Sequence, residues 1–414
     1  MELAKNVSLH YLQDQRTTTN ILTIYFTTKF TKERASKRAL LLNLIGSMTM
    51  DYPSRRRFEQ RLAELYGAEI TTNLHKKGIY HVFEISLNLV KTKFTREKLD
   101  LQNEGIQLLL SCLFDPFLVN EIFPEDLVEI EKIQLIRLLD SLLEDSFYRA
   151  SLGLQTLFLE DSNLAGSKFG SKEAVRKIAS AELYQEYVRM VTEDRVDIFL
   201  HGEFPSTVFR YLEECPSFSD RAFSIKGQLT PTKEIKMEKV SLPLHQSVLE
   251  LGYLLPMIQN EKMKATIVVF HTYFGSGSDS ILFQELREKL GIAYTVASDL
   301  DLQARQLCIY MGISSSNRET AQKKVEEEIL KMNHGIIDEA LLKRSKEFLL
   351  RHYQVLKDNP YEMMDRTHTL LIDGLSLDDS KYQNDIAKVS PDDLQNLARH
   401  LSLQASYYLE GIED

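Results

Sequence analysis

Apolar and polar positions follow two different periods along the first part of the chain. Runs with strand-like spacing, Asn20 to Phe26, Glu69 to Leu74 and Ile79 to Val90, flank segments whose apolar residues recur every three or four positions. The clearest such segment is Arg57 to Leu65, where apolar residues fall at i, i+4 and i+7 and Gly67 follows in the place of a C-cap. The pattern predicts a strand, an amphipathic helix and then a β-hairpin, whose turn is the HKKG segment.

The rest of the chain continues in the same manner. Helical periodicity predicts helices at Ala35 to Met48, Glu97 to about Leu157, Glu182 to Val191, Met263 to Tyr273, Ile281 to Lys289, Glu319 to Met332 and Asp338 to Lys357. Further strands are predicted at Val196 to His201, Ser247 to Leu255, Ala293 to Ala297 and Gln306 to Ile313. Hairpin-built strands with packed helices indicate an α/β (α+β) chain with largely antiparallel sheets, unlike the strict alternation of a Rossmann fold.

The order of elements repeats because the chain is an internal duplication. The segment FQELREKLGIAYT, Phe283 to Thr295, returns in degraded form as FEQRLAELYGAEIT, Phe58 to Thr71. A second match aligns the helical segments that begin at Phe123 and Ile337. We therefore expect two homologous domains, each with its own sheet and core.

A change of composition separates the two halves. Residues 218 to 241 are rich in Lys, Thr, Ser and Pro and show no sustained period, which is typical of a linker. The predicted organisation is an N-terminal domain at residues 1–220, a linker at 221–240 and a C-terminal domain at 241–414. A chain of 414 residues is long enough for two such cores.

Charge and cysteine usage exclude several classes of protein. The formal net charge is −10, from 60 acidic and 50 basic residues, which argues against a nucleic-acid surface. No apolar run approaches the roughly 18 residues of a membrane span, and the N-terminus lacks the apolar core of a secretory signal. The three cysteines have no paired spacing. We expect a cytoplasmic protein with reduced thiols and no membrane partner.

One segment carries a family resemblance. GSGSDSILFQELREKLGIAYTV, Gly275 to Val296, resembles the C-terminal hallmark of the pitrilysin/insulinase zinc peptidases, which include the mitochondrial processing peptidases. HQSVLELGY, His245 to Tyr253, looks like the strand that opens their second domain. The resemblance covers essentially the whole chain, since that family is itself a duplicated α/β domain. It implies the metallohydrolase fold shared by LuxS and the processing peptidases.

The resemblance also implies a zinc motif in the first half, H-x-x-E-H, which this chain does not have. The matching positions hold Asn43 and Ser47 in place of the ligands and Gly46 in place of the general base. The position of the family's third ligand, a glutamate on a later long helix, should fall near Leu138, and neither Leu138 nor Arg137 beside it can serve as the carboxylate. Asn and Ser offer only weak neutral oxygens to zinc. We therefore expect no metal or other cofactor in this chain.

The part of the resemblance that survives lies in the second half. Arg287 and Tyr294 match the pair that the family directs at the scissile peptide, where a guanidinium and a phenol hold a carbonyl group. The turn containing Gly275, Ser276 and Gly277 offers backbone N–H groups suited to an extended peptide. Two readings of the pair stay open, because Tyr294 can also pack as a strand aromatic with a bonded hydroxyl while Arg287 pairs with a carboxylate from another element.

Three functions are consistent with this pattern. The first is a catalytically inactive subunit that pairs with a zinc-bearing homologue, or with itself, around a chamber for peptides or unfolded proteins, the zinc being in the partner alone. Within that class the chain most resembles the inactive bacterial partner associated with 5-aminopentanol modification of elongation factor P. The second is a scaffold or peptide-binding protein without a catalytic partner. The third is a metalloendopeptidase with an unrecognised site. His75, His81 and Glu84 could in principle bind a metal, but the favoured interpretation is two partly exposed strand histidines, because no further ligand spacing accompanies them.

Overall fold

The computed structural model describes residues 1–95, 100–224, 229–375 and 377–412. Its strands are β1 Glu2–Ala4, β2 Val7–Gln13, β3 Thr19–Lys29, β4 Glu69–Lys77, β5 Tyr80–Val90, β6 Arg195–Gly202, β7 Lys236–Leu242, β8 Ser247–Leu254, β9 Ala293–Asp301, β10 Gln306–Ile313 and β11 Ser402–Gly411. Its α-helices are α1 Lys32–Ile45, α2 Arg55–Glu64, α3 Leu101–Phe114, α4 Glu125–Glu144, α5 Ser146–Phe158, α6 Lys172–Lys177, α7 Ser180–Glu193, α8 Ser206–Glu213, α9 Glu261–Phe274, α10 Arg318–Asn333, α11 Glu339–Leu356, α12 Pro360–Ile372, α13 Asp379–Ala387 and α14 Pro391–Arg399.

The strands form two sheets with matching order. The first runs β1-β2-β6-β3-β5-β4 and the second β7-β11-β8-β10-β9. Neighbouring strands are antiparallel except for one parallel pair in each sheet, β2 with β6 and β7 with β11. With β3 set against β8 and β5 against β10, the two orders coincide apart from the extra edge strand β1. This architecture confirms the predicted fold class.

Several elements begin or end away from their predicted positions. The hairpin turn lies between Lys77 and Tyr80, because β4 continues through the HKKG segment to Lys77. Strand β7 begins inside the predicted linker and runs two residues beyond it; linker residues 225–228 are outside the described residues. The expected helical stretch from Glu97, itself outside the described residues, is three separate helices, α3 to α5. Within the described residues every helix is too short or too polar to cross a membrane.

The chain divides into two compact units, and one segment of the first sequence half belongs to the second unit. Unit 1 comprises Met1–Ser141 and Ser167–Gly227, whereas unit 2 comprises Leu142–Gly166 and Gln228–Asp414. Helix α5, encoded in the first half, therefore packs on the sheet of unit 2. The packing is close enough to require glycine, since a Cβ at Gly153 would lie 2.3 Å from the ring of Tyr407.

Each unit has its own hydrophobic core on one face of its sheet. In unit 1, alternate residues of β3 such as Leu22, Ile24 and Phe26 contact apolar residues of α1 and α3. In unit 2, residues of β8 and β10 such as Leu249 and Ile309 contact those of α9 and α10 in the same way. The period of two leaves the intervening strand residues on the opposite face of each sheet.

Candidate functional site

Helix α1, which carries the degenerate zinc positions, is fixed by buried charges. Thr31 caps its N-terminus by accepting a hydrogen bond from the N–H of Arg34. Arg38 is fully buried; its Nη1 lies 2.6 Å from Oδ2 of Asp194, and its Nη2 donates to the carbonyl of Phe26 at 3.0 Å. Arg34 lies 2.7 Å from Glu186 of α7. Because a buried guanidinium is tolerated only with such partners, these contacts lock α1 against α7 and β3.

The three degenerate positions lie together at the C-terminal end of α1. Asn43 is exposed, and its Nδ2 donates to Oε2 of Glu131 at 2.6 Å. The Ser47 hydroxyl donates to the carbonyl oxygen of Asn43 one turn before it. Gly46 lies against β4, where an added Cβ would approach the Thr72 methyl group to 2.8 Å.

A carboxylate from α4 reaches this place, but it is not at the predicted position. Leu138 is 42% exposed, and the side chain that contacts Asn43 is Glu131, two helical turns earlier and only 4% exposed. The expectation that this helix offers no carboxylate near the motif is corrected accordingly. Sequence spacing cannot show which turn of α4 faces the end of α1, because that depends on how the two helices pack.

These residues do not fit a zinc ion. Both oxygens of Glu131 are occupied, one by the Asn43 amide and the other by the guanidinium of Arg55, the first residue of α2. The Asn43 amide turns its N–H donors toward the carboxylate, whereas a metal needs a lone pair. Arg55 thus supplies the positive charge that a metal would supply in a zinc peptidase.

The histidines of the β4–β5 hairpin do not form a metal site with Glu84. His75 Nε2 lies 2.6 Å from Glu84 Oε2. His81, expected to be partly exposed, is fully buried, and its Nε2 contacts the carbonyl of Lys168 at 3.0 Å. Burial lowers the pKa of the His81 ring, which stays neutral. In the described parts of the chain, no three His, Cys, Asp or Glu side chains are placed to hold a metal ion.

Arg287 lies in an irregular segment of unit 2. The predicted regular helix is π-helical over Phe283–Lys289, with the N–H of Leu290 donating to the carbonyl of Glu285 at 3.0 Å. Such single turns are frequent at functional sites because they insert one residue and redirect a side chain. The Arg287 side chain is 49% exposed and reaches Glu288 only at 4.0 Å. The carboxylate in range is therefore its neighbour in sequence, not one from another element.

Tyr294 lies at a second irregularity. On β10 the adjacent residues Gly312 and Ile313 pair with Thr295 and Ala293, so Tyr294 is the extra residue of a β-bulge on β9. Its side chain is 69% exposed, and among the described residues its hydroxyl has no hydrogen-bond partner. The alternative of a packed aromatic with a bonded hydroxyl does not describe this geometry. The bulge presents the phenol to solvent.

The glycine-rich turn offers fewer free N–H groups than expected. The N–H groups of Gly275 and Ser276 both donate to the carbonyl of His271, at 3.0 Å each, and thereby end α9. Gly275 is held against β9, where an added Cβ would lie 2.3 Å from the Ser298 hydroxyl. Gly277 is exposed and has a φ of +95°, a conformation that favours glycine. The turn positions the π-helical segment rather than presenting a row of donors.

Comparison with known proteins identifies the class to which this geometry belongs. Residues 177–349 match the family model described as peptidase M16 inactive domain. Over these residues the chain is similar to that domain, in agreement with the pitrilysin/insulinase resemblance of its second half.

Similarity to M16-type proteins extends beyond that domain. The chain is 23% identical over 410 residues to a probable inactive metalloprotease, YmfF, of Bacillus subtilis (strain 168), covering 98% of this chain and 96% of the relative. A conserved protein of Enterococcus faecalis V583 superposes with a TM-score of 0.91 at 28% identity, covering 100% of this chain and 98% of that structure. The peptidase M16 inactive domain of Pseudomonas fluorescens has the same fold, with a TM-score of 0.82 at 15% identity and coverage of 100% and 98%.

Proposed function

We propose that this chain is a catalytically inactive M16-type subunit that pairs with a zinc-bearing homologue and supplies substrate contacts to a shared peptide-processing chamber. The observation that carries the proposal is the exposure of Arg287 and Tyr294 on a π-helical turn and a β-bulge. Irregular backbone leaves both side chains exposed, although the Arg287 guanidinium also lies 4.8 Å from the centre of the Phe283 ring. Such exposure suits groups that bind a peptide carbonyl supplied by a substrate.

The state of α1 supports the division of labour. Glu131 is paired with Asn43 and Arg55, so the first half is arranged as a closed polar cluster and not as a hydrolytic centre. In this proposal zinc and its activated water belong to the partner, and the substrate is a peptide or an unfolded protein.

Purification of the tagged chain from its own cells tests the pairing. We expect a homologue with an intact H-x-x-E-H motif to co-purify in a 1:1 ratio, identified and counted by mass spectrometry. Recovery of this chain alone, or with itself only, would contradict the pairing.

Kinetics of the purified complex test the substrate contacts. Arg287→Ala and Tyr294→Phe are each expected to lower kcat/KM by about tenfold or more, since each removes a group that binds the reacting carbonyl. Arg351→Ala is the matched control, because Arg351 is an exposed arginine on α11 of the same unit. A complex that forms but keeps full turnover in both variants would indicate a scaffold.

We further propose that the subunit works in the cytoplasm as the inactive partner associated with 5-aminopentanol modification of elongation factor P. The support is the sequence resemblance, together with three cysteines that are free in the structure. Deleting the gene should leave elongation factor P with an altered mass in intact-protein mass spectrometry. An unchanged mass would reject this assignment while leaving the proposed pairing untouched.

A further inference from the structure

The face of the unit 2 sheet that lies under α5 contains a cavity of about 420 Å³. Leu249, Leu251 and Ile309 point into the core on the other face, so the residues between them point toward α5. The cavity is lined by Asp145, Phe147, Tyr148, Ser151, Leu154 and Gln155 of α5 and its cap, and by Glu250, Asp299, Leu300, Asp301, Gln306, Cys308 and Tyr310 of the sheet.

A buried carboxylate without a cation lies at its floor. Glu250 is 2% exposed, and its hydrogen-bond partner within the described residues is the thiol of Cys308, at a long 3.7 Å. No lysine, arginine or histidine of the described residues forms an ion pair with it. Burial raises the pKa of Glu250 to about 8. A carboxylate in this setting is stabilised by whatever positive group can reach it.

An unsatisfied amide lies in the same cavity. Gln306 is 7% exposed, and among the described residues its Nε2 has no hydrogen-bond partner. Buried side-chain amides are nearly always bonded, so the cavity lacks a polar group that Gln306 could contact. Turning the amide about its last bond presents Oε1 in place of Nε2, which makes Gln306 a second acceptor beside Glu250.

The walls of the cavity provide negative charge and aromatic rings, both of which suit an organic cation. Asp299 and Asp301 add negative charge from β9, while Phe147 and Tyr310 form an edge-to-face pair with centroids 5.9 Å apart. Aromatic walls suit an aliphatic chain that ends in a positive charge. A metal ion is disfavoured, because no three ligating side chains converge in the described part of the chain.

We propose that this cavity binds the alkylammonium end of a lysine side chain, with the ammonium group on Glu250 and the amide oxygen of Gln306 and the stem between aromatic rings. An ammonium carries three N–H donors and no acceptor, which matches the Glu250 carboxylate and, once the Gln306 amide is turned, its Oε1. The site does not depend on the pairing proposed above, because all its residues belong to unit 2.

Binding should be coupled to proton release. With a pKa of about 8, Glu250 is mostly protonated at pH 7, and the arriving ammonium favours its ionised form. The other titratable groups around it are Asp145 and Tyr148 of α5, Asp299 and Asp301 of β9, Cys308 and Tyr310 of β10, and Tyr407 of β11, beside which Arg149 lies. Of these groups Asp145, Asp299 and Asp301 share the negative sign of Glu250 and reinforce attraction of a cation, whereas Arg149 opposes it.

Titration calorimetry of the full chain with Nα-acetyl-lysine methylamide tests the proposal. We expect saturable binding with a Kd on the order of 1 mM at pH 7, with release of about one proton when buffers of different ionisation enthalpy are compared. Glu250→Gln should weaken binding about tenfold or more, whereas Glu347→Gln, which changes an exposed acid on α11 of the same unit, should leave it within about twofold. The probe acetylated at Nε should not bind.

Three results would overturn it. They are no saturable binding at about ten times the expected Kd, equal binding of the Nε-acetylated probe, or unchanged affinity in Glu250→Gln. Displacement of the probe by micromolar zinc or magnesium would instead assign the acids to a metal. Circular dichroism of Glu250→Gln confirms that any loss of binding occurs in a folded chain.

Discussion

The two sheets carry acids and tyrosines in opposite arrangements at equivalent positions of their three neighbouring central strands. In unit 1 the central-strand residue Tyr25 lies between Asp197 and Glu84 on the flanking strands. In unit 2 the central-strand residue Glu250 lies between Tyr310 and Tyr407. Two acids flank a tyrosine in one sheet, and two tyrosines flank an acid in the other.

The difference lies in what neutralises the acids. Asp197 contacts His10 at 2.9 Å and Arg195 at 2.8 Å, and Glu84 contacts His75 at 2.6 Å. Glu250 has no such cation among the described residues. In unit 1 these acids, like Glu131 at the degenerate zinc positions, are thus paired with cationic side chains of the same unit. The unmatched Glu250 of unit 2 is the basis of the ammonium site proposed above.

The strongest test of internal pairing in unit 1 is Asp194→Ala. It leaves the fully buried Arg38 without its closest carboxylate, and we expect a loss of about 3–5 kcal/mol in the free energy of unfolding. Urea denaturation measures it. The control is Asp140→Ala, which removes the exposed ion pair with Lys172 and should cost about 1 kcal/mol or less. Equal losses in the two variants would break the comparison.

Neutralising Glu250 in unit 2 is expected to raise the free energy of unfolding, whereas Asp194→Ala lowers it. The raised pKa of Glu250 means that the folded state holds a proton that the unfolded state loses above its ordinary pKa near 4.5, so stability falls as the pH rises toward about 8. Glu250→Gln removes this fall in stability, because glutamine does not titrate. We expect it to stabilise the chain by about 3 kcal/mol at pH 7 and by almost nothing at pH 4. A destabilised variant at pH 7 would show that an unrecognised cation pairs with Glu250.

The closed packing of the former catalytic helix predicts a smaller effect. Gly46→Ala places a methyl group against Thr72 Cγ2 and should cost about 1–3 kcal/mol. Thr72→Ser removes that methyl group and keeps the hydroxyl that donates to Leu42 at 2.8 Å. The double variant should therefore recover most of the loss in thermal denaturation. Failure to recover would place the clash elsewhere.

The smallest effects on stability are expected at the exposed pair. Arg287→Ala and Tyr294→Phe should each change the free energy of unfolding by less than about 0.5 kcal/mol, because neither side chain is packed in the core. Denaturation of the isolated chain measures this. A loss of 2 kcal/mol or more would assign the pair a structural role.

The fold was predictable because both halves of the sequence show the same order of strand and helix patterns. Strands such as β5 and β10 are apolar and bounded by turns, and the repeat fixed their order. Strand β7 was not predictable, since KMEKVSL is mostly exposed and shows no apolar alternation. The break before α5 had a signal, because Asp145 is an N-cap whose carboxylate accepts from the N–H of Phe147 at 2.9 Å.

The candidate site was harder to predict than the fold. The identities of Asn43, Gly46 and Ser47 follow directly from the aligned motif, but the carboxylate that meets them depends on the packing of α4. The π-helical turn at Arg287 and the bulge at Tyr294 each insert one residue, which hydrophobic periodicity averages away. Glu250 reads in sequence as an ordinary strand residue, because its missing partner is visible only in three dimensions.

Helix α5 is encoded in the first half of the sequence but packs in unit 2, which has a consequence for how the protein is synthesised. The ribosome releases α5 long before it releases β7, β8 and β11, the strands on which α5 packs. The apolar face of α5, which includes Leu154 and Phe158, therefore stays uncovered during synthesis until these strands of unit 2 have been made. A C-terminal fragment cut at residue 228 would lack this helix and leave one face of its sheet uncovered. The sequence halves repeat each other, but the second half cannot form a finished unit without a segment of the first.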